Sequence, residues 1–415
     1  MTLSTILSDL DQTRGYREEL YKYFHQHPEL SLQEFETAKR IIAELESYGV
    51  EDVQRIGDTG VVAVINNGDG PVVAARGDID ALPMAERSDK DYAATGVTQV
   101  DNNTGKETPV AHSCGHDVHI SSLLGAVQAL NSHKESWNGT FIAVFQPAEE
   151  TAAGAKMMVE EGIVDKLPTP DVYLGQHVLG TLPGGAVGTR VGAVMSEAAS
   201  IEITLHGKGS HGSMPNLGVD PIVLGAAIVT RLQSVVSREI AASETAVLTV
   251  GSFHAGTKSN IIPDSAVLQL NTRAFSKEVA AHLHEAIERI VRHECEAARS
   301  PEPPEFKYYD QYPLTHNEVS ATARVRAAFD EYFGEESTDL AQVPASEDFS
   351  IIPDAFGVPY SYWGLGGFAD PAAAPGNHSP AFAPDIQPTL DRGIEALVVA
   401  ASAWLVKNEG HNESI

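Results

Sequence analysis

Across residues 33–48 apolar side chains recur at the spacing of one helix face, and then the pattern changes. Runs rich in β-branched residues at 61–65 and 72–75 predict strands, the second leading into Arg76-Gly77-Asp78-Ile79-Asp80. Helical spacing at 118–130 and 153–161 alternates with strand-like apolar runs at 140–145 and 171–175. Strands alternating with helices predict a mainly parallel sheet flanked by helices, with ligands at the carboxyl ends of strands. The N-terminal segment reads as a polar amphipathic helix through Arg17, Glu18 and Glu19.

Near residue 196 the character shifts. Positions 200–205 alternate with a period of two, 221–236 reads as a helix, 246–253 and 266–273 as strands, and 277–296 as a long helix. That order predicts a small α+β unit with a one-sided antiparallel sheet. Pro301-Glu302-Pro303-Pro304 then breaks the helix and cues a boundary, and helices near 318–333 and 387–406 resume the first pattern. The expected fold class is α/β. A catalytic domain formed by 1–195 and 311–415 is interrupted at 196–310 by an inserted α+β domain with a four-stranded antiparallel sheet and two helices.

Composition narrows the function. The 415 residues are 42% apolar and 20% charged, ordinary for a globular chain, and carry a formal charge of −29. So acidic a surface repels phosphates, which excludes nucleic acid as a partner. Two cysteines build no disulfide framework, the N-terminus lacks a signal-peptide pattern, and the apolar run 396–406 is too short to span a bilayer. The expectation is a cytoplasmic protein with no membrane contact.

One of those cysteines lies in His112-Ser113-Cys114-Gly115-His116-Asp117-Val118-His119, a density of thiol, imidazole and carboxylate suited to zinc or a similar ion. Gln146-Pro147-Ala148-Glu149-Glu150 follows a buried strand. Neighbouring side chains leave an extended backbone in different directions, so one carboxylate could bind metal while the other faces a water. In isolation, Glu-Glu is more often a solvated pair at a helix start, and neither His177 nor His378 stands out among 16 histidines. Cys295 falls on a helical stripe with Val279, Leu283, Ile287 and Val291, as a small core residue would.

From about residue 21 to 404 the chain resembles the aminoacylase/carboxypeptidase superfamily of metallopeptidases. Within it, the similarity is to the amidohydrolase branch of hippurate hydrolases, auxin-conjugate hydrolases and N-acyl-amino-acid hydrolases. The matching motifs are His25-Gln26-His27-Pro28-Glu29, Asp78-Ile79-Asp80-Ala81-Leu82-Pro83, Ser113-Cys114-Gly115-His116-Asp117 and Gln146-Pro147-Ala148-Glu149-Glu150. Further on come Gly207-Lys208-Gly209-Ser210-His211, Asn260-Ile261-Ile262-Pro263, Ser346-Glu347-Asp348-Phe349 and His378-Ser379-Pro380.

The resemblance implies that Cys114, His116, Glu150, His177 and His378 bind divalent metal and that Glu149 is the general base. It implies two ions per subunit about 3.5–4 Å apart, or one where the thiolate is oxidised. Zinc suits the thiolate, and manganese, cobalt or nickel are alternatives. Asp80 would orient a ligand without binding metal, while His112 and His119 are not expected to be ligands. The insert becomes a lid and dimerisation domain in which His211 stabilises the oxyanion, Asn260 contacts substrate and Arg273 grips its free carboxylate. A homodimer, or a tetramer built from dimers, follows. The chain has Asn216 where many relatives carry histidine. The implied reaction hydrolyses small-molecule N-acyl amino acids to a carboxylic acid and an amino acid. The rivals are a dipeptidase or carboxypeptidase, and a non-enzymatic binder of metal or acyl amino acids with a vestigial site.

Overall fold

The apolar runs of the first two hundred residues become adjacent strands of one eight-stranded sheet. A computed structural model describes residues 3–102 and 104–406, so the last residues of the expected 311–415 segment lie outside the described residues. The four central strands, Gly139–Gln146, Val72–Asp78, Val172–Pro183 and Tyr360–Phe368, run parallel in that order. The hairpin of Asp52–Ile56 and Gly60–Asn67 adds antiparallel to one side. On the other side, the short strand Val187–Thr189 pairs antiparallel with Tyr360–Phe368 and parallel with Ser337–Asp339. Strands covered on both faces have no polar side to show, and Tyr360–Phe368 is buried at every position.

The helix His116–Ser132 is buried nearly all round, which fits its weakly amphipathic sequence. It packs against Ile386–Leu405, and Gly125 permits the approach because an added Cβ would lie 2.5 Å from Ile394 Cδ1. In the sheet, Asp78 is in register with Gln146. The strand ends that lead to Asp80 and to Glu149 and Glu150 are therefore neighbours. The strand expected over 171–175 runs on to Pro183, because Val178 and Leu179 are buried like the residues before them. His177 consequently lies inside the strand and not at its end.

The chain divides into two compact units. The first comprises Met1–Val194, His316–Ala341 and Asp348–Ile415; the second comprises Met195–Thr315 and Gln342–Glu347. The second unit is a four-stranded antiparallel sheet in the order Ala246–Ala255, Ser265–Ala274, Glu197–His206, Glu305–Tyr312. Its alternating side chains Ile201, Ile203, Leu205, Leu268 and Leu270 meet Leu224, Ile228, Leu232, Leu283 and Ile287 from the helices Pro221–Arg238 and Lys277–Ala297. Cys295 is buried in that core. The prolines at 301–304 do not end this unit: they precede its fourth strand, Glu305–Tyr312. Among the described residues, no helix is long and apolar enough to cross a membrane.

Candidate metal centre

Cys114 and His116 are separated by Gly115, whose φ of 84° places it in the left-handed region and whose added Cβ would lie 2.3 Å from Val178 Cγ1. Glycine alone suits both conditions, and it starts the helix with His116 as the first residue. Asp80 Oδ1 lies 3.1 Å from His116 Nδ1, so Nδ1–H donates to the carboxylate and Nε2 faces inward. His177 Nδ1–H donates to Val178 O at 2.9 Å, again leaving Nε2, which lies 3.5 Å from Cys114 Sγ. Glu150 presents Oε1 3.7 Å from His116 Nε2 and Oε2 3.2 Å from His378 Nε2. His378 occupies the left-handed region at φ 66°, and its N–H is held by Ser113 O at 2.8 Å. The structure thus brings Cys114, His116, Glu150, His177 and His378 to one place in the first unit.

The donor set fits a divalent ion. Cys114, His116 and Glu150 each offer an atom within 4.8 Å of the others. His116 Nε2 and Glu150 Oε1 are buried with no hydrogen-bond partner. Each orphaned group costs about 1–3 kcal/mol, a penalty that a cation among them would offset. Burial opposes charge on His116, but Asp78, Asp80 and Glu150 outweigh it and raise its pKa to about 10. Burial, reinforced by His119, keeps His177 well below the usual imidazole range and so neutral. Burial followed by repulsion from Glu150 and Glu149 pushes the Cys114 thiol well up. Ion binding must therefore displace protons from Cys114 and His116.

Asp78, His116, His119 and His177 form a second group of close donors, but His119 has no free nitrogen. Its Nδ1 bonds Asp78, and its Nε2 accepts the Val178 N–H at 2.9 Å. Asp78 is held well below the usual carboxylate range: burial opposes this, but the adjacent Arg76 guanidinium and the two histidines prevail. His112 is buried with both ring nitrogens unpartnered, and burial lowers it to about 4.

Glu149 is 5% exposed, with Oε2 3.9 Å from His116 Nε2. The extended backbone expected here is replaced by a single tight turn, Glu149–Thr151, entered through Ala148 at φ 49°. The turn, not strand alternation, separates the two carboxylates. Asp80 Oδ2 accepts the Glu150 N–H at 3.0 Å, so one aspartate orients both His116 and the turn.

In the second unit His211 lies on the short strand Ser210–His211, paired with Ile261–Ile262. Its Nδ1 accepts the Ser213 N–H at 3.2 Å, which places the ring proton on an exposed Nε2. Gly212 N–H donates to the carbonyl of Asn260, whose side chain is exposed. Arg273 Nη1 donates to Pro344 O at 2.8 Å and Ser346 Oγ at 3.2 Å, and Nε donates to Asn271 at 3.2 Å. Asn216 sits in the exposed turn Pro215–Leu217.

His25 was visible only as part of a motif. Its Nδ1 lies 2.6 Å from Asp117 Oδ2 and its Nε2 2.8 Å from Glu86 Oε1. Burial opposes its charge, yet the two carboxylates raise its pKa to about 9. The folded chain therefore keeps a proton that the unfolded chain releases near pH 6.5. The resulting stability, on the order of 3 kcal/mol, is complete below that pH and declines as pH rises to about 9. Denaturant titrations at pH 6.5 and 9.5 should show this decline in the parent and a shallower one in His25→Gln; parallel slopes would contradict it.

Comparison with known proteins matches residues 74–403 to a family model described as peptidase family M20/M25/M40. An N-acetylcysteine deacetylase of Bacillus subtilis is 36% identical over 91% of this chain and 92% of its own length. The IAA-amino acid hydrolase ILR1-like 4 of Arabidopsis thaliana is 33% identical over 86% of this chain and 79% of its own. A Bacillus subtilis crystal structure described as a dinuclear metal binding peptidase of the M20 family superposes with a TM-score of 0.77 at 28% identity, covering 94% of this chain and 98% of that one.

Proposed function

Because the chain belongs to the peptidase family M20/M25/M40, we propose that it is a metal-dependent amidohydrolase that cleaves N-acyl amino acids to a carboxylic acid and a free amino acid. The observation that carries this is the pair of orphaned buried donors, His116 Nε2 and Glu150 Oε1, with the Glu149 carboxylate beside them. Cys114, His116, Glu150, His177 and His378 would hold the ions, two per subunit, with zinc the best match to a thiolate and manganese, cobalt or nickel the alternatives. A bound ion polarises the scissile carbonyl and acidifies water.

The chain's own groups do the rest. Glu149 takes a proton from the attacking water and returns it to the leaving nitrogen. His211, with its proton on Nε2, is assigned as donor to the tetrahedral oxyanion. Asn260 is assigned to substrate binding and Arg273 to the substrate carboxylate, the latter suited by its guanidinium fork. Names of the relatives, a deacetylase and an amino-acid-conjugate hydrolase, support small acylated amino acids as the substrate class. A homodimer, or a tetramer of dimers, in the cytoplasm completes the proposal, a compartment in keeping with two cysteines that are both free thiols.

The test is hydrolysis of a panel of N-acetyl, N-benzoyl and N-indoleacetyl amino acids beside unblocked dipeptides. Acylated substrates should lead by at least ~100-fold in kcat/KM; dipeptides turned over as fast would make the chain a dipeptidase. Amidating the substrate carboxylate should cost ~10–100-fold, the worth of one charge-assisted contact, and indifference to it would remove Arg273 from the site.

A further inference from the structure

The segment that begins at His27-Pro28-Glu29 has no part in the chemistry above, yet it ends at Glu34, an acid with no exposed surface. Glu34 occupies the N-cap position of the helix Phe35–Ser47 but does not cap it with its side chain. Glu29 does that work, with Oε2 accepting from Thr37 N at 2.7 Å and Oε1 from Glu36 N at 3.3 Å. Released from capping, the Glu34 carboxyl turns inward. Its Oε1 accepts the N–H of Leu32 at 2.9 Å and the N–H of Ala148, 114 positions along the chain, at 2.8 Å.

Both donors are non-glycine residues in the left-handed region, Leu32 at φ 61° and Ala148 at φ 49°. Such residues are strained and persist only where their surroundings hold them. Ala148 is the entrance to the Glu149–Thr151 turn, and its carbonyl accepts from Ala153 N and Gly154 N. The turn has no slack behind it, since a Cβ on Gly154 would lie 1.5 Å from Pro147 O. From the same N-terminal segment, Ser31 Oγ donates to Asp80 Oδ2 at 2.7 Å, the oxygen that also receives Glu150 N–H.

We propose that Glu34 is a positioning residue for Glu149: its buried carboxyl holds Ala148 left-handed and so aims the turn that carries the base. The inference rests on the assignment of Glu149 as general base. Burial and the nearby Asp80 raise Glu34 to about 8, so near neutrality it is largely the uncharged acid. Glutamine copies both its shape and its charge.

The test uses the full-length, metal-loaded protein with N-acetyl-L-methionine as substrate, and reads position separately by hydrogen–deuterium exchange of the peptide 147–152. Glu34→Met, which fills the space without a strong acceptor, should raise that exchange at least ~10-fold. It should also lower kcat ~10–100-fold while KM stays within ~3-fold. Glu34→Gln should stay within ~3-fold of the parent in all three readouts. In a Glu149→Gln background, Glu34→Met should cost nothing further in kcat.

Parental exchange and turnover in a folded Glu34→Met variant overturn the proposal, as do losses that multiply in the double variant or a Gln variant as impaired as Met. If Glu34→Met does not fold, Ala148→Gly is added, because glycine takes the left-handed φ unaided. Recovery of folding and of kcat to within ~3-fold supports the proposal, and no recovery overturns it. Near-parental turnover by Glu149→Gln alone would remove the base assignment, while the exchange data would still decide whether Glu34 holds the turn.

Discussion

Glu149→Gln is expected to bind its divalent ions as the parent does and to lose about 10³-fold in kcat, within the range for a positioned general base. The substitution keeps the size and shape of a side chain that is 5% exposed, so packing is preserved. It removes only the capacity to accept and return a proton. Glu150, whose N–H is fixed by Asp80 and whose Oε2 faces His378, is untouched. Metal content per chain, measured on the same sample as turnover, separates loss of the base from loss of the ions. A variant with full metal and near-parental kcat would show that the proton goes elsewhere.

Removal of the ions is the second large effect. Stripping with a chelator should reduce turnover below ~1% of the parent and lower the melting temperature, since an ion at a thousandfold above its Kd stabilises the fold by about 4 kcal/mol. Without it, His116 Nε2 and Glu150 Oε1 are buried without hydrogen-bond partners beside Asp78, Asp80 and Glu149. Adding zinc, manganese, cobalt and nickel back one at a time should restore both properties, with the metal that restores turnover at the lowest free concentration identifying the preferred ion. Asp80→Asn should weaken retention ~10–100-fold, the usual cost of losing a carboxylate that orients a ligand histidine. Full turnover in chelated protein holding less than ~0.1 ion per chain would end the metal-dependent proposal.

Much of this fold is legible as runs of side chains. Strands buried on both faces, such as Gly139–Gln146 with its run from Phe141 to Phe145, announce themselves by unbroken apolar character, and Ser265–Ala274 by alternating burial. Three-residue strands such as Val187–Thr189 and Ser337–Asp339 are too short to carry a period. The strand Glu305–Tyr312 was hidden because the prolines before it read as an end, and because a register shift opposite Ala198 and Ser200 disturbs its pattern.

At the site, the ligand-type residues could be picked out, but only in combination, since each alone has an ordinary explanation. What could not be read is how their second atoms are used. Nothing local to His119 says that one nitrogen serves Asp78 and the other the Val178 backbone. Likewise, nothing local to Glu34 points to Ala148. Those assignments are made by contacts between strands and turns distant in sequence, and backbone angles such as φ 49° at an alanine have no composition signature.

The chain order of the central sheet has a consequence for biogenesis. Val172–Pro183, which carries His177, takes Tyr360–Phe368 as its parallel neighbour, and the whole second unit is synthesised between the two. During translation the half-built sheet must wait with a long, apolar strand edge unpaired, the kind of surface that invites aggregation. Of the proposed donors, Cys114, His116, Glu150 and His177 precede the second unit in the chain, whereas His378 follows it, so the full set is complete only after the insert has been made. Conditions that slow synthesis past the insert should therefore lower the soluble yield more than scarcity of metal does.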